Sequence, residues 1–226
     1  MELELDKQWK TCMKNYWKTG NSSLKVWSTT NAMEAQKIYD IWAPKFDSDL
    51  NNDGINIHVE VAKCVTKYGC NNKDAQLLDV AAGTGMVGFC LRKYENFCGQ
   101  IDILDANMEM LYVASKRGLN FRNIMRHWID GDLPLTAKSY DVITCIGSFI
   151  PRHLPPSTLQ NLLKLIKDGG FLIFNGRANL LPYNDELLKM IDQLESEGQM
   201  KVVDTMELFY TSDAFLSKLY VCQVPK

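Results

Sequence analysis

A chain of 226 residues, 46% hydrophobic and 23% charged, suits one globular domain with an added flap and buries enough surface to need no disulfide or metal staple. Its formal net charge of −2, with Lys and Arg scattered along the chain, disfavours a nucleic-acid partner, because phosphate contacts call for a basic excess. Seven cysteines, an odd number without a CxxC pair, argue against a secreted disulfide framework and for a reduced, cytoplasmic setting, and three dispersed histidines give no zinc-like spacing, so no metal is expected.

In chain order, the opening MELELDKQWK is charged from its second residue and lacks the apolar region of a signal peptide. Helices are predicted over Lys7 to Lys18 and Ala32 to Trp42. A turn-like stretch, Asp47 to Gly54, lacks the bidentate Glu that closes an EF-hand loop. A helix from Ile57 to Tyr68, capped by Gly69, ends a strand-poor region. From about 76 the pattern alternates: strand Leu77 to Ala81, helix Val87 to Tyr94, strand Gln100 to Leu104, helix Met108 to Arg117, strand Asn123 to Trp128 and strand Tyr140 to Ile146. Helix Leu159 to Ile166, the turn Lys167-Asp-Gly-Gly170 and strand Phe171 to Asn175 follow. Such alternation implies an α/β fold, a parallel sheet with crossover helices. A helix Asp185 to Glu197 and two strands, Val202 to Tyr210 and Phe215 to Val224, would add an antiparallel edge. No apolar run approaches the roughly 20 residues of a membrane-spanning helix, so a soluble protein is expected. The division expected is 1–74 as a helical flap and 75–226 as the core.

The most informative stretch is Leu77-Leu-Asp-Val-Ala-Ala-Gly-Thr-Gly-Met-Val-Gly88, where an apolar strand runs into a small-residue turn and then a helix. Such a turn lets backbone N–H groups and a helix N-terminus approach a ligand closely. Asp105 ends the next strand, twenty residues beyond Gly85, where an acid accepts hydrogen bonds from ribose hydroxyls. Asp79, four residues before Gly83, is unusual for a dinucleotide-binding strand, which runs apolar into its first glycine.

Together with Leu104-Asp-Ala-Asn-Met-Glu-Met-Leu111, Asp130-Gly-Asp-Leu-Pro134, Tyr140-Asp-Val-Ile143 and Lys167-Asp-Gly-Gly170, these segments resemble, in their order, the class I S-adenosylmethionine-dependent methyltransferases. The likeness covers about 75 to 177 and implies a Rossmann-like, mostly parallel sheet with helices on both faces and S-adenosyl-L-methionine as cofactor. Ala81 stands where many members carry the loop's first glycine. Ile38-Tyr-Asp-Ile-Trp-Ala-Pro-Lys-Phe-Asp47 resembles the entry segment of small-molecule methyltransferases, and Ile146-Gly-Ser-Phe149 with His153-Leu-Pro155 resembles the methyltransferase-like proteins of the Williams–Beuren syndrome region.

The resemblance implies that Asp79, Ala81 and Gly83 surround the methionine part of the cofactor and that Gly85 shapes the turn. It places Asp105 on the ribose and Ala106 and Met110 against the adenine. Asp130, beside Gly131, or else Asp132, takes the adenine amino group, and Ile146 lies near the methyl. Tyr39, Trp42 and Phe46 share a helical face and either close over the sulfonium with their electron-rich rings or pack as core. His153 is the candidate general base or a loop histidine beside prolines. Tyr183 and Asn175 are weaker candidates for the acceptor pocket.

No Asn/Asp-Pro-Pro-Tyr follows the fourth strand, where amide or base-amine methylation would want it, and Asn179-Leu-Leu-Pro-Tyr183 echoes it in the wrong place. A small molecule methylated on O or N is the expectation that remains, as partner to an enzyme with no membrane or nucleic-acid contact. Two rivals stand beside it: a catalytically idle S-adenosylmethionine-binding partner protein, and an NAD-dependent oxidoreductase. Oligomeric state is not legible.

Overall fold

The computed structural model describes Val26 and residues 29–52, 55–68, 70, 72–177, 183–209 and 216–226. The helix expected over Lys7 to Lys18 and the cap at Gly69 lie outside them. The first described helix, α1 (Ala32–Trp42), starts on the Asn31 side chain, which accepts the Glu34 N–H at 3.0 Å, while the Glu34 carboxylate takes the Thr30 N–H at 2.8 Å. This reciprocal pairing satisfies donors a helix start leaves open.

A 3₁₀ turn, Ala43–Lys45, leads into α2 (Phe46–Asn52), where a turn-like stretch was expected. The helix wins because its short polar side chains find partners elsewhere. Asp47 and Asp49 lie in its first turn, where negative charge suits the helix dipole. Asp49 accepts the Trp42 indole N–H at 2.7 Å, and Asp47 is held by Thr84 and Arg117. The third helix, α3 (Ile57–Lys67), follows.

The strands are β1 (Gln76–Val80), β2 (Gln100–Asp105), β3 (Asn123–Arg126), β4 (Tyr140–Cys145), β5 (Ile166–Arg177), β6 (Lys201–Phe209) and β7 (Leu216–Gln223). Between them run α4 (Met86–Tyr94), α5 (Met108–Ser115), α6 (Thr158–Leu163) and α7 (Tyr183–Ser196). One seven-stranded sheet has the order β3-β2-β1-β4-β5-β7-β6. Its first five strands are parallel, and β7 runs antiparallel to both β5 and β6. This is the mostly parallel sheet with an antiparallel C-terminal edge that the alternation implied.

Two expected boundaries shift for one reason. Ile166 pairs with Tyr140, and Phe171 with Val142, so Lys167 to Gly170 bulge out opposite the single residue Asp141. The segment expected as a helix end and a turn is thus taken up into β5. Gly170 is required there, since a Cβ would stand 2.7 Å from the Asp141 carbonyl.

Side chains of the central strands alternate between two cores. Leu78, Val80, Ile143, Leu172 and Phe174 pack with α6 and α7, whereas Leu77, Ile101, Ile103, Val142 and Ile173 pack with α3, α4 and α5. Helix α3 contributes Ile57, Val61, Ala62 and Val65 to the second core, so it belongs with the sheet. Val26, Ala35 and Trp42 form a separate small cluster with Ile38, Tyr39, Phe46 and Leu50. Cys64, Cys70, Cys90, Cys145 and Cys222 are buried thiols outside any disulfide. Among the described residues no helix is long and apolar enough to cross a membrane.

Candidate active site

The chain order reverses between β1 and β4, so the loops after these strands diverge and leave a crevice at the sheet's carboxyl edge, where ligands of open α/β sheets bind. A cavity of about 200 Å³ occupies it. Its lining draws on α1, α2, the start of α3, the loops after β1, β2, β3 and β4, the first turn of α5 and the end of β5.

The loop after β1 is built from positive-φ residues. Ala81 has φ 53°, a conformation that costs a residue with a Cβ about 1–2 kcal/mol, and Gly83 and Gly85 have φ 55° and 77°. A Cβ at Gly83 would meet nothing within 4 Å, so this stretch of backbone faces open space. Its N–H donates to Asp105 Oδ2 at 2.8 Å, and the Asn107 N–H donates to Oδ1, also at 2.8 Å. Burial raises the Asp105 pKa, and the backbone amides of Asn107, Gly83 and Ala106 pull it back only in part. A carboxylate has about four lone-pair sites, so each oxygen keeps capacity for a further donor.

Asp79 sits behind the loop, 1% exposed, with Oδ1 accepting the Thr144 hydroxyl at 2.7 Å. Its Oδ2 has no hydrogen-bond partner among the described residues. Burial pushes its pKa up to about 7, against the pull of Thr144 and with a further push from Asp105.

The roof is aromatic. The Tyr39 and Trp42 rings stack at 5.9 Å, and Trp42 and Phe46 meet edge to face at 4.6 Å. All three line the cavity while packing on one another. Two polar clasps fasten the roof. The Asn107 side-chain amide, at the start of α5, donates to Asp40 at 2.7 Å and Gln36 at 3.0 Å in α1. Asp47 of α2 accepts the Thr84 hydroxyl at 2.6 Å and pairs with Arg117, whose Nε donates to the Thr84 carbonyl at 2.5 Å.

Opposite stands His153. Its Nδ1 lies 3.1 Å from the Pro151 carbonyl, which assigns the proton to Nδ1 and leaves Nε2 to accept the Tyr39 hydroxyl at 2.9 Å. Burial lowers its pKa, and the guanidiniums of Arg177 and Arg152 lower it further. The imidazole is therefore neutral near pH 7.

Of the residues singled out in the sequence, Tyr39, Trp42, Phe46, Ala81, Gly83, Asp105, Ala106, Met110, Ile146 and His153 line the cavity. Asp79 and Gly85 stand outside the lining, one beneath the loop and the other at the start of α4. Asp130 and Gly131 are also outside it; Trp128 and Ile129, just before them, line it instead. Asp132 pairs with Lys164 at 2.6 Å. Asn175 lies beneath the loop after β4, accepting the Gly147 N–H at 2.7 Å, and the Tyr183 hydroxyl donates to the Leu154 carbonyl. Sequence reasoning missed Gln36, Asn107, Arg152 and Arg177. Arg177 could have been found from its place at the carboxyl end of β5, and Arg152 from its neighbour His153.

The sequence profile of the ubiE/COQ5 methyltransferase family matches residues 27–180. The ubiquinone/menaquinone biosynthesis C-methyltransferase UbiE of Coxiella burnetii is 27% identical over 208 residues, covering 82% of this chain and 81% of that protein. A malonyl-acyl-carrier-protein O-methyltransferase of Halalkalibacterium halodurans is 31% identical over 138 residues, covering 54% of this chain and 49% of its own. Among solved structures, a SAM-dependent methyltransferase from Aquifex aeolicus shares the fold with a TM-score of 0.54 at 20% identity, over 72% of this chain and 88% of that one. These matches displace the nicotinamide-linked alternative. A profile that runs from the roof through the glycine loop to the end of β5 settles the kinship: the chain belongs to the ubiE/COQ5 methyltransferase family and is an S-adenosyl-L-methionine-dependent methyltransferase.

Proposed function

We propose that the chain methylates a small-molecule acceptor in the cavity roofed by α1 and α2, and that it is kin to the methyltransferase-like proteins of the Williams–Beuren region. The relatives' names speak of C- and O-methylation, so carbon joins oxygen and nitrogen as the receiving atom. The flap that matters is the stretch 29–52, since α3 packs into the sheet's core. Buried, unbridged thiols fit a reducing, cytoplasmic setting. The observation that carries this reading is one cavity with a ribose-type carboxylate at one end and a phenol–imidazole pair at the other.

The residues present fit the donor. Gly83 offers open backbone, Asp105 has lone pairs for the ribose hydroxyls, and the orphaned Asp79 Oδ2 suits the amino-acid ammonium. Met110 and Ala106 flank the adenine; Trp128 and Ile129, rather than Asp130, border it from the loop after β3. Bound S-adenosylmethionine supplies a methyl group on a cationic sulfonium, an electrophile that needs no metal. Tyr39, Trp42 and Phe46 give that cation an electron-rich aromatic wall, and Ile146 limits the space beside the methyl. The acceptor's proton passes to the Tyr39 oxygen as the phenol's own proton moves to His153 Nε2, whose acceptor state the Pro151 carbonyl fixes.

Isotope-labelled methyl transfer from S-adenosylmethionine into a small-molecule extract tests the reading. The native chain should label at least one compound. Tyr39→Phe, which keeps the ring and removes the hydroxyl, should slow labelling by about 10²-fold while adenosylhomocysteine still binds. Binding without any labelled product would leave an idle cofactor-binding protein, and no binding would remove the assignment altogether.

Asp79 adds a pH dependence. An acid whose folded pKa is raised to about 7 favours stability most below its unfolded pKa near 4, an advantage lost as pH rises through 7. A ligand ammonium at Oδ2 favours the ionised form. Adenosylhomocysteine should therefore bind roughly tenfold more weakly at pH 6 than at pH 8, and calorimetry on Asp79→Asn should find that dependence flattened.

A further inference from the structure

The cavity is electrically lopsided. Asp105 is the one carboxylate in its lining among the described residues, and it sits at the end of β2. Two guanidiniums, Arg177 and Arg152, line it elsewhere. Arg177 ends β5 and is 9% exposed, while Arg152 stands in the loop that follows β4, with φ 68°. In the order β2-β1-β4-β5, three inter-strand steps separate Asp105 from Arg177, or roughly 14 Å along the carboxyl edge. The acidic end coincides with the glycine loop, and the basic end lies beyond Ile146, on the side of His153.

A guanidinium's planar fork matches a carboxylate in two-point contact, so an arginine that lines a cavity suits an anionic ligand. The loop carrying Arg152 is itself braced, because the Gly147 N–H is held by Asn175 Oδ1 at 2.7 Å and Asn175 by Ser217 at 2.8 Å. Both arginines also act electrostatically on His153, so the positive field reaches the group that would receive the acceptor's proton. An anionic substituent held there would draw the acceptor toward the phenol–imidazole pair and away from Asp105.

We propose that the methyl acceptor is a small carboxylate whose anionic group is received by Arg177 and Arg152 at the β4–β5 end of the cavity. The inference rests on the methyltransferase reading and names its substrate class. The competing source of a carboxylate is the amino-acid part of the cofactor itself. Placement favours the acceptor, because the glycine loop follows β1 and Arg177 stands two strands further on.

The test uses the full chain saturated with adenosylhomocysteine. Succinate, salicylate and 4-hydroxybenzoate are titrated by calorimetry beside their primary amides, in the native chain, Arg152→Gln and Arg177→Gln. At least one acid should bind about tenfold more tightly than its amide, and either substitution should erase that preference while adenosylhomocysteine affinity stays within about threefold. Arg152 is itself an exposed residue, so its variant carries the test even where Arg177→Gln does not fold. The proposal is overturned by no acid preference up to about 10 mM, or by a preference that survives both substitutions. It is equally overturned by a tenfold loss of adenosylhomocysteine affinity in the variants, which would hand the guanidiniums to the cofactor. A native chain that does not bind adenosylhomocysteine strikes the methyltransferase reading first, and this inference with it.

Discussion

Asp105→Ala is expected to weaken adenosylhomocysteine binding by about 10- to 100-fold, equivalent to roughly 1.5–3 kcal/mol. Two losses combine. The ribose hydroxyls would lose a carboxyl acceptor, and the Gly83 and Asn107 N–H groups lose the carboxylate that fixes them at 2.8 Å. The second loss reaches both sides of the cavity, since Gly83 belongs to the glycine loop while Asn107 caps α5 and clasps α1. Asp105→Asn should lie between, because an amide accepts at one atom only. Calorimetric titration with a melting curve of each variant checks this. A stable Asp105→Ala chain with undiminished affinity would show that the ribose lies elsewhere.

Phe174→Ala should give the largest loss of stability, about 3–5 kcal/mol and a Tm lower by roughly 10 °C. Phe174 is 0% exposed in the second half of β5, stacked on Tyr220 of β7 at 5.2 Å and edge to face with Phe149 at 5.4 Å. Removing the ring leaves a cavity where the parallel sheet meets its antiparallel edge, and the rigid strands on either side cannot close it. Phe149 sits between Ser148 and Ile150, which line the cavity, so acceptor binding should suffer along with stability. Urea denaturation read by tryptophan fluorescence measures the change, and a loss below about 1 kcal/mol would mean that the site collapses without strain.

The sheet was legible because buried parallel strands are short apolar runs between turn residues, and β1, β2 and β4 each match their sequence pattern to within a residue. Asp105 was legible because a strand-end acid following a glycine turn is a local pattern. Two boundaries were misread because they depend on distant partners. Asp47 to Asn52 looks like a turn until Thr84, Arg117 and Trp42 occupy its carboxylates. Lys167 to Gly170 looks like a turn until β4 pairs on both sides of it. Arg177 and Asn107 escaped notice for the same reason: periodicity assigns a residue to an element but does not say which other element's side chains it will face.

The roof and the proposed proton route share one piece of chain. Tyr39 reaches His153 only while α1 is seated, and α1 is seated by Asn107 on Gln36 and Asp40. A swing of this segment that frees a spent nucleoside would in the same movement part the phenol from the imidazole. On the proposed route, an exchange-ready protein and a reaction-ready protein would then be two distinct conformers, and each round of turnover would visit both.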